Sequence, residues 1–367
     1  MVQTDRIVNE FIKMASMDAP TGAERPVADY CAAALQAMGF TVEEDNAGEI
    51  LGGNCGNLYA FLPGTGDPIL FSCHTDTVVP CLGKRITMDS DGTIHAAGDT
   101  ILGADDVAGI AEIFEGVRSV LEDGAHHRPI EVVLSVSEEK KLRGAKEFDF
   151  SRVQAKEGYI LDVDGPLGTA VIAAPRSYRF LATVHGRAAH AALSPELGIN
   201  AAVIASTAIS RLNWGRLDAD TTSNVGIIRV EGATNIVPAT CYLECEVRSL
   251  APEKADARID EMKQAFEQAA AEFGGTVDLE IIFSYEAYQI DPADPVVKRF
   301  EDACRQLGIT PVLTRSCGGS DNNIYTPKGF HGIVVAPGMH EIHGVNEHTS
   351  AQELTTMAKM VEILIKA

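Results

Sequence analysis

The stretch ILFSCHTDTVVP (69–80) indicates the fold class of this chain. It begins as a continuous apolar run and becomes polar at His74. A second apolar run, IEVVLSVSEE (130–139), ends in two glutamates, and a third, GYILDVDG (158–165), ends in acidic residues. Strands that are apolar on both faces are typical of a sheet covered by helices on both sides. These runs predict an α/β domain with polar groups gathered at one edge of its sheet.

Further helix and strand patterns surround these runs. The first residues have the periodicity of an amphipathic helix that buries Ile7, Phe11 and Met14. Strand-like segments follow at 40–45 and 57–63, and a helix is predicted at 110–122.

From about Arg176 the pattern changes to strand, helix, strand, strand, helix and strand, ending at 285. This βαββαβ order is typical of the ferredoxin-like split unit. The pattern of the first part resumes after Pro292. We therefore expect one domain at 1–176 and 288–367, with a mixed sheet flanked by helices, and a ferredoxin-like domain inserted at 177–287.

Composition excludes several classes of protein. A chain of 367 residues is long for one core, which favours two domains. Its net charge of −22 argues against nucleic acid or anionic membrane as a partner. No apolar stretch reaches the roughly 18 residues of a membrane span, and the N-terminus does not resemble a signal peptide. These features predict a cytoplasmic protein.

The chain contains eight cysteines, most of them inside apolar runs. This placement predicts buried reduced thiols and not a disulfide framework. Cys241 and Cys245 form a CxxxC pattern, but no second pair of cysteines or histidines lies nearby in the sequence, so a structural zinc site is not expected.

Two pairs of polar residues could belong to a metal site. His74 ends an apolar strand, and Asp76 would leave the same face and could hold the second ring nitrogen of His74. Taken alone, a histidine at a strand end is more often structural. Asp105 and Asp106 precede a predicted helix, where an N-cap is the alternative interpretation.

Glu138 and Glu139 end the second apolar run, where like charges raise each other's pKa until cations are bound. One could bind a metal while the other transfers a proton, although a surface acidic turn is the alternative. Asp162 and His343 follow other apolar runs. Together these histidines and carboxylates suit zinc, manganese or cobalt, and a metal pair would need a bridging carboxylate.

The motifs HTDTV, GADDVAGIAEI, SEE followed by RGAK, GYILDVDG, SCGGSDNN and IHGVNEH occur along almost the whole chain. In order and approximate spacing, the chain resembles the peptidase T-like tripeptide aminopeptidases. These belong to the dinuclear zinc superfamily that also contains carboxypeptidase G, acetylornithine deacetylase and aminoacylase. The resemblance implies a peptidase for short peptides with two Zn²⁺ per subunit, Co²⁺ or Mn²⁺ being alternatives. A carboxypeptidase, an N-acyl amino acid amidohydrolase or a deacetylase with the same site is the alternative function.

The resemblance also implies roles for individual residues. His74 and Asp162 would bind one ion, and Glu139 and His343 the other. Asp105 would bridge the two ions and be followed by a cis peptide bond. Asp76 would orient His74, and Glu138 would be the general base. A non-catalytic protein of the same fold would lack a ligand or the base, and all of them are present here.

The inserted domain would provide a homodimer interface and substrate contacts. His190 would reach the active site of the partner subunit, while Asn235 and Arg248 would bind the substrate carboxylate. The remaining predicted contacts form a backbone pocket of Gly318, Gly319 and Ser320. The alternatives are a turn residue at Asn235 and helix caps at Ser320 and Asp321. The chain departs from the family pattern at Val107, Lys140 and Lys141, which leaves the predicted ligands in place.

Overall fold

The computed structural model describes residues 1–366, which divide into two compact units. The first unit contains Met1–Ile172, Gln289–Arg315 and the chain from residue 320 onward. The second contains Ala173–Tyr288 and Ser316–Gly319, so the chain enters it twice.

The helices, in chain order, are α1 Thr4–Ala15, α2 Arg25–Ala37, α3 Ala47–Leu51, α4 Ala104–Glu122, α5 Arg143–Glu147, α6 Ala201–Ser210, α7 Pro252–Phe273, α8 Pro295–Gln306, α9 Asn322–Tyr325 and α10 Ala351–Lys366. The strands are β1 Thr41–Glu44, β2 Leu58–Leu62, β3 Ile69–His74, β4 Ile86–Met88, β5 Thr93–Ala96, β6 Ile130–Ser135, β7 Glu157–Ile160, β8 Thr169–Ala174, β9 Arg176–His185, β10 Gly215–Arg216, β11 Thr221–Arg229, β12 Thr240–Ser249, β13 Thr276–Tyr285, β14 Tyr288–Gln289, β15 Val312–Arg315, β16 His331–Val335 and β17 His348–Ser350.

A mixed sheet forms the centre of the first unit. Its strand order is β1-β2-β6-β3-β7-β16-β8, with β14 and β15 beside β8. Strand β3 is parallel to β6 and β7, and β7 is parallel to β16. Every residue of β3 and β6 is buried, because helices cover the middle of the sheet. The predicted α/β class with a mixed, helix-flanked sheet is confirmed.

Helix α4 is the buried helix of the first unit. It contacts α1, α10 and β3, and Ile110, Phe114 and Val117 are fully buried. Its buried residues also include Glu112 and Glu115, so the helix is buried on most sides without being wholly apolar. Gly116 permits the close approach of α10, because a Cβ at this position would lie 2.7 Å from Val361 Cγ1.

The predicted N-terminal helix is confirmed as α1, in which Ile7, Phe11 and Met14 are fully buried. Two other segments differ from the prediction. The strand predicted at 130–139 ends at Ser135, so Glu138 and Glu139 lie in the turn that follows. The segment between His74 and α4, for which no strand was predicted, contains β4 and β5, which form a small sheet with β17. The distant β17 completes this sheet, and such a pairing leaves no local sequence pattern.

The second unit has a five-stranded antiparallel sheet in the order β10-β11-β12-β9-β13. Without the two-residue β10, the four long strands and helices α6 and α7 have the order and pairing of a ferredoxin-like fold. Alternate residues of β9, including Phe180, Ala182 and Val184, are buried in one core with residues of both helices. The predicted separate sheet of the βαββαβ segment is therefore confirmed.

All eight cysteines are free thiols, and seven of them are buried, as predicted. Among residues 1–366, no helix has both the length and the apolar composition needed to cross a membrane.

Candidate metal centre

The predicted metal ligands meet at one edge of the central sheet. Strands β3, β6, β7 and β16 are parallel, so their carboxyl ends lie at the same edge. His74 is the last residue of β3, and Asp162 follows β7 by two residues. Glu139 follows β6, and His343 lies in the loop after β16.

Asp105 lies between the two histidines. Its Oδ1 is 2.9 Å from His74 Nε2, and its Oδ2 is 3.1 Å from His343 Nε2. Residues 105 and 106 have non-helical backbone angles, so regular helix begins only at Val107. The Asp105–Asp106 peptide bond is cis, as the resemblance implies. The two oxygens of the Asp105 carboxylate face different histidines.

The other carboxylates surround this histidine pair. Glu139 Oε1 lies 2.9 Å from His343 Nε2, and Asp162 Oδ1 lies 3.8 Å from His74 Nε2. Among the described residues, two groups have potential ligand atoms within 4.8 Å of one another. They are His74, Glu138 and Asp162 in one group, and His74, Asp105 and Glu139 in the other.

The backbone of Asp76 sets the orientation of His74. The Nδ1 atom of His74 lies 2.9 Å from the carbonyl oxygen of Asp76 and 3.5 Å from its carboxylate. A carbonyl oxygen can only accept, so Nδ1 carries a proton, and the lone pair of neutral His74 is on Nε2. The Nε2 atom of the ring therefore faces Asp105, where it could bind a metal.

The carboxylate of Asp76 holds the turn that carries the glutamates. It accepts hydrogen bonds from the backbone N–H groups of Glu138 at 2.9 Å and Glu139 at 3.3 Å. Thr21 donates to the same carboxylate at 2.7 Å. Asp76 thereby links the end of β3 to the turn after β6.

Burial disfavours the charged form of the carboxylates at this edge of the central sheet. It raises the pKa of Glu138 well above its usual range, with a further contribution from Asp162. Burial likewise raises the pKa of Asp162 and Glu139. Asp321, which is also buried, has its pKa raised to about 6 for the same reason. Bound cations would remove this cost.

The pKa values of the two histidines are also raised, but by their acidic neighbours and against the effect of burial. Burial alone would lower the pKa of His74, but its hydrogen bond with Asp105 and the nearby acidic groups raise it. Hydrogen bonds with Asp105 and Glu139 raise the pKa of His343 to about 10. Imidazole nitrogens and carboxylate oxygens are ligands that zinc accepts. The donor set and its excess of negative charge therefore fit a pair of divalent ions.

Comparisons with known proteins agree with this geometry. Residues 177–274 match the family described as the peptidase dimerisation domain. The chain is 39% identical over 370 residues to the uncharacterised protein YqjE of Bacillus subtilis, covering 100% of this chain and 99% of that protein. The crystal structure of aminopeptidase PepT from Bacillus cereus has a TM-score of 0.92 at 38% identity, covering 100% of this chain and 98% of PepT. A tripeptidase from Staphylococcus aureus has a TM-score of 0.96 at 34% identity, with the same coverage.

The chain belongs to the M20 family of dinuclear metallopeptidases. This membership confirms the resemblance to peptidase T-like enzymes. The candidate histidine, aspartate and glutamate groups agree with the dinuclear metal site that is typical of the M20 family. The matched dimerisation domain indicates a homodimer.

The M20 dimerisation domain contains His190, Asn235 and Arg248. His190 is exposed, and its Nδ1 accepts hydrogen bonds from the backbone N–H groups of Ala192 and Leu193, both at 3.2 Å. Asn235 lies in a turn, and its carbonyl accepts from the N–H of Ala191 at 2.9 Å. The bond between Ala191 and Asn235 joins the loop of His190 to the turn of Asn235, so these two residues lie in the same region of the second unit.

Arg248 is held by neighbours in the second unit. Its Nε and Nη2 donate to the carboxylate of Glu246 at 2.8 and 3.1 Å, and its Nη1 donates to the carbonyl of Cys317 at 3.1 Å. Cys317 belongs to the segment Ser316–Gly319. A Cβ at Gly319 would lie 2.4 Å from Tyr285 Cζ, so only glycine fits at this position.

Gly318 and Gly319 precede Ser320, where the chain returns to the first unit. The N–H of Gly318 donates to Ser316 Oγ at 2.8 Å. Ser320 is buried, and its N–H donates to Asn323 Oδ1 at 3.0 Å. Asp321 makes no side-chain cap on α9, so the helix-cap interpretation is not supported for this residue.

The sequence did not reveal the contacts that two buried acidic residues make beside the candidate metal centre. Glu347 is buried, and its carboxylate accepts from the N–H groups of Gly103 at 2.7 Å and Asp105 at 2.9 Å. Asp106 Oδ2 accepts from the N–H of His74 at 3.1 Å. Glu347 lies in IHGVNEH and Asp106 in GADDVAGIAEI. The backbone N–H groups that they bind belong to residues distant in the sequence, so the motifs alone do not indicate these contacts.

Proposed function

We propose that this chain is a zinc-dependent aminopeptidase that hydrolyses short peptides, with tripeptides as substrates. The observation that carries the proposal is the position of Asp105, whose two oxygens face His74 and His343 at 2.9 and 3.1 Å. A bridging carboxylate of this kind is the arrangement that a two-metal aminopeptidase needs. The similarity to PepT and to a tripeptidase supports the substrate class.

The proposed ligands divide into two sets that share Asp105. His74 and Asp162 would hold one zinc ion, and Glu139 and His343 the other. When bound, the zinc pair lowers the pKa of the attacking water and polarises the scissile carbonyl. The short contact between Glu139 and His343 favours placing these two residues in one set.

Glu138 is the proposed general base. It is buried beside Asp162 and next to the ligand Glu139, and the Asp76 carboxylate fixes its backbone N–H. In this position its carboxylate takes the proton of the attacking water and returns it to the leaving amine. Asp76 serves the same step indirectly, since it holds both His74 and the glutamate turn.

The inserted segment 177–287 is the proposed homodimerisation domain. His190 of one subunit would donate a hydrogen bond to the developing oxyanion in the active site of its partner. Arg248 and Asn235 would bind the substrate carboxylate, for which the planar guanidinium offers two parallel donors. The backbone of Gly318, Gly319 and Ser320 would line the substrate pocket.

The proposal is tested with free and blocked peptides. Metal-stripped protein is reloaded with zinc and assayed with a tripeptide, its N-acetylated form and an N-acetyl amino acid. An aminopeptidase requires the free amine, so only the unblocked tripeptide should be hydrolysed. Hydrolysis of the N-acetyl amino acid in place of the tripeptide would identify an amidohydrolase or deacetylase. Release of the C-terminal residue first would identify a carboxypeptidase.

A further inference from the structure

The buried carboxylate of Glu347 joins two loops of the metal centre. Its Oε2 accepts from the N–H of Gly103 at 2.7 Å, and its Oε1 accepts from the N–H of Asp105 at 2.9 Å. Only 1% of the residue is exposed. Both oxygens therefore accept hydrogen bonds from the backbone of the loop that carries Asp105, the proposed bridging ligand.

Glu347 itself lies in the loop that carries His343. Residues 341–347 are closed at their base by backbone hydrogen bonds in both directions between His340 and His348, at 2.9 and 3.1 Å. Within the loop, the N–H of Glu347 donates to the carbonyl of Gly344 at 3.1 Å. The position of Glu347 is thus tied to the loop in which His343 lies.

The backbone of both loops is in conformations that need support. His343 has φ 63 and Glu341 has φ 53, values that residues other than glycine rarely adopt. Gly103 has φ 77, and a Cβ there would lie 2.9 Å from the buried Lys84 Nζ. Such conformations persist only when surrounding contacts hold them. Glu347 supplies two of those contacts directly at the Asp105 turn.

We infer that Glu347 is a positioning residue that sets the distance between Asp105 and His343, and so builds the zinc site formed by Asp105, Glu139 and His343. The inference rests on the proposed function, which requires a pair of metal ions at this site. Glu347 does not itself point to a metal in this role. It holds the backbone of the bridging ligand against the loop of the terminal ligand.

The N–H groups of Gly103 and Asp105 donate to different oxygens of the Glu347 carboxylate, so this arrangement uses both oxygens as acceptors. In Glu347→Gln one oxygen becomes an NH₂ group, which cannot accept from the second N–H. In Glu347→Asp the charge is kept, but the shorter side chain withdraws both oxygens from the turn. Both variants should therefore loosen Asp105 relative to His343.

The test measures zinc binding to metal-stripped protein by isothermal titration calorimetry. The wild-type protein should bind two zinc ions per chain. Glu347→Gln and Glu347→Asp should bind the ion of Asp105, Glu139 and His343 about 10- to 100-fold more weakly, the range for residues that orient metal ligands. The ion of His74 and Asp162, which shares Asp105, should be weakened less. His343→Asn, which removes a ligand of the same ion, supplies the reference isotherm.

Glu341→Gln is the matched control, since it removes the same charge from an exposed position of the same loop. It should bind two ions as the wild type does. Thermal unfolding of each stripped variant shows whether the fold is kept.

Wild-type affinity at both sites of the Glu347 variants, or equal weakening of both, would overturn the inference and leave the proposed function intact. Failure of both variants to fold would make Glu347 a fold determinant and also overturn it. Fewer than two ions bound by the wild type would instead overturn the proposed metal pair, and the inference with it.

Discussion

His74 Nδ1 lies 2.9 Å from the backbone carbonyl oxygen of Asp76, closer than it lies to the carboxylate of the same residue. The main chain therefore sets the tautomer of the histidine, while the carboxylate is free to hold the N–H groups of Glu138 and Glu139. One residue thus organises two parts of the metal centre. The roles of Asp76 and His74 in metal binding stay predictions.

Replacing Glu138 with alanine should abolish turnover and leave both metals bound. Its carboxylate is proposed to move the proton, and general bases contribute about 10²- to 10⁴-fold to rate. Metal content by mass spectrometry and kcat for an unblocked tripeptide would be measured on the same sample. Activity near that of the wild type would show that another group accepts the proton.

Replacing Asp105 with asparagine should weaken both metals, because each of its oxygens faces a different histidine. Asp106→Asn is the matched control. Burial raises the pKa of Asp106, so asparagine resembles its neutral form and keeps an acceptor for the N–H of His74. Zinc per chain after dialysis should fall for Asp105→Asn and stay at two for Asp106→Asn. The reverse order would identify Asp106 as the bridge.

In the metal-free protein, the free energy of unfolding should depend on the protonation of His343. Hydrogen bonds with Asp105 and Glu139 raise its pKa in the folded chain to about 10, whereas an unfolded histidine has a pKa of about 6.5. The folded state holds this proton more tightly. The contribution of the His343 proton to stability is therefore complete below about pH 6.5 and is lost as the pH rises towards about 10.

Urea unfolding of the chelator-treated protein between about pH 6 and pH 10 checks this sign. The free energy of unfolding should decrease across that window, and the decrease should be smaller for His343→Asn. Zinc should reverse the trend, since metal binding displaces protons and strengthens as the pH rises. Parallel profiles for the two metal-free proteins would contradict the role of the His343 proton.

Replacing Arg248 with lysine should raise KM for an unblocked tripeptide about 10-fold and change kcat little. The reason is the loss of the two parallel donors that are proposed to bind the substrate carboxylate, which is a binding interaction. Arg179→Lys is the matched control, because Arg179 also pairs with a glutamate, Glu244, across the same sheet. An equal rise in KM for both variants would point to a general effect on the sheet.

Much of the first unit could be predicted from short-range patterns. The apolar runs that became β3 and β6 are continuous because both faces of these strands are covered, and this leaves a direct trace in the sequence. The polar residues at their ends were therefore expected to meet at one edge. The amphipathic spacing of Ile7, Phe11 and Met14 likewise predicted α1.

Other features could not be derived in this way. The sheet of β4, β5 and β17 joins segments about 250 residues apart. No local periodicity in the sequence predicts a strand pairing over such a distance. Glu347 is one acidic residue in a polar loop until its contacts with Gly103 and Asp105 are seen.

The sequence by itself determined the α/β class, the inserted βαββαβ segment and the residue types that could bind zinc, because burial and periodicity act between near neighbours. Only the tertiary structure decided that Asp105 faces both His74 and His343, and that the carbonyl of Asp76 and the carboxylate of Glu347 hold them. The physical reason is that hydrogen bonds of 2.7 to 3.1 Å depend on how distant loops are brought together.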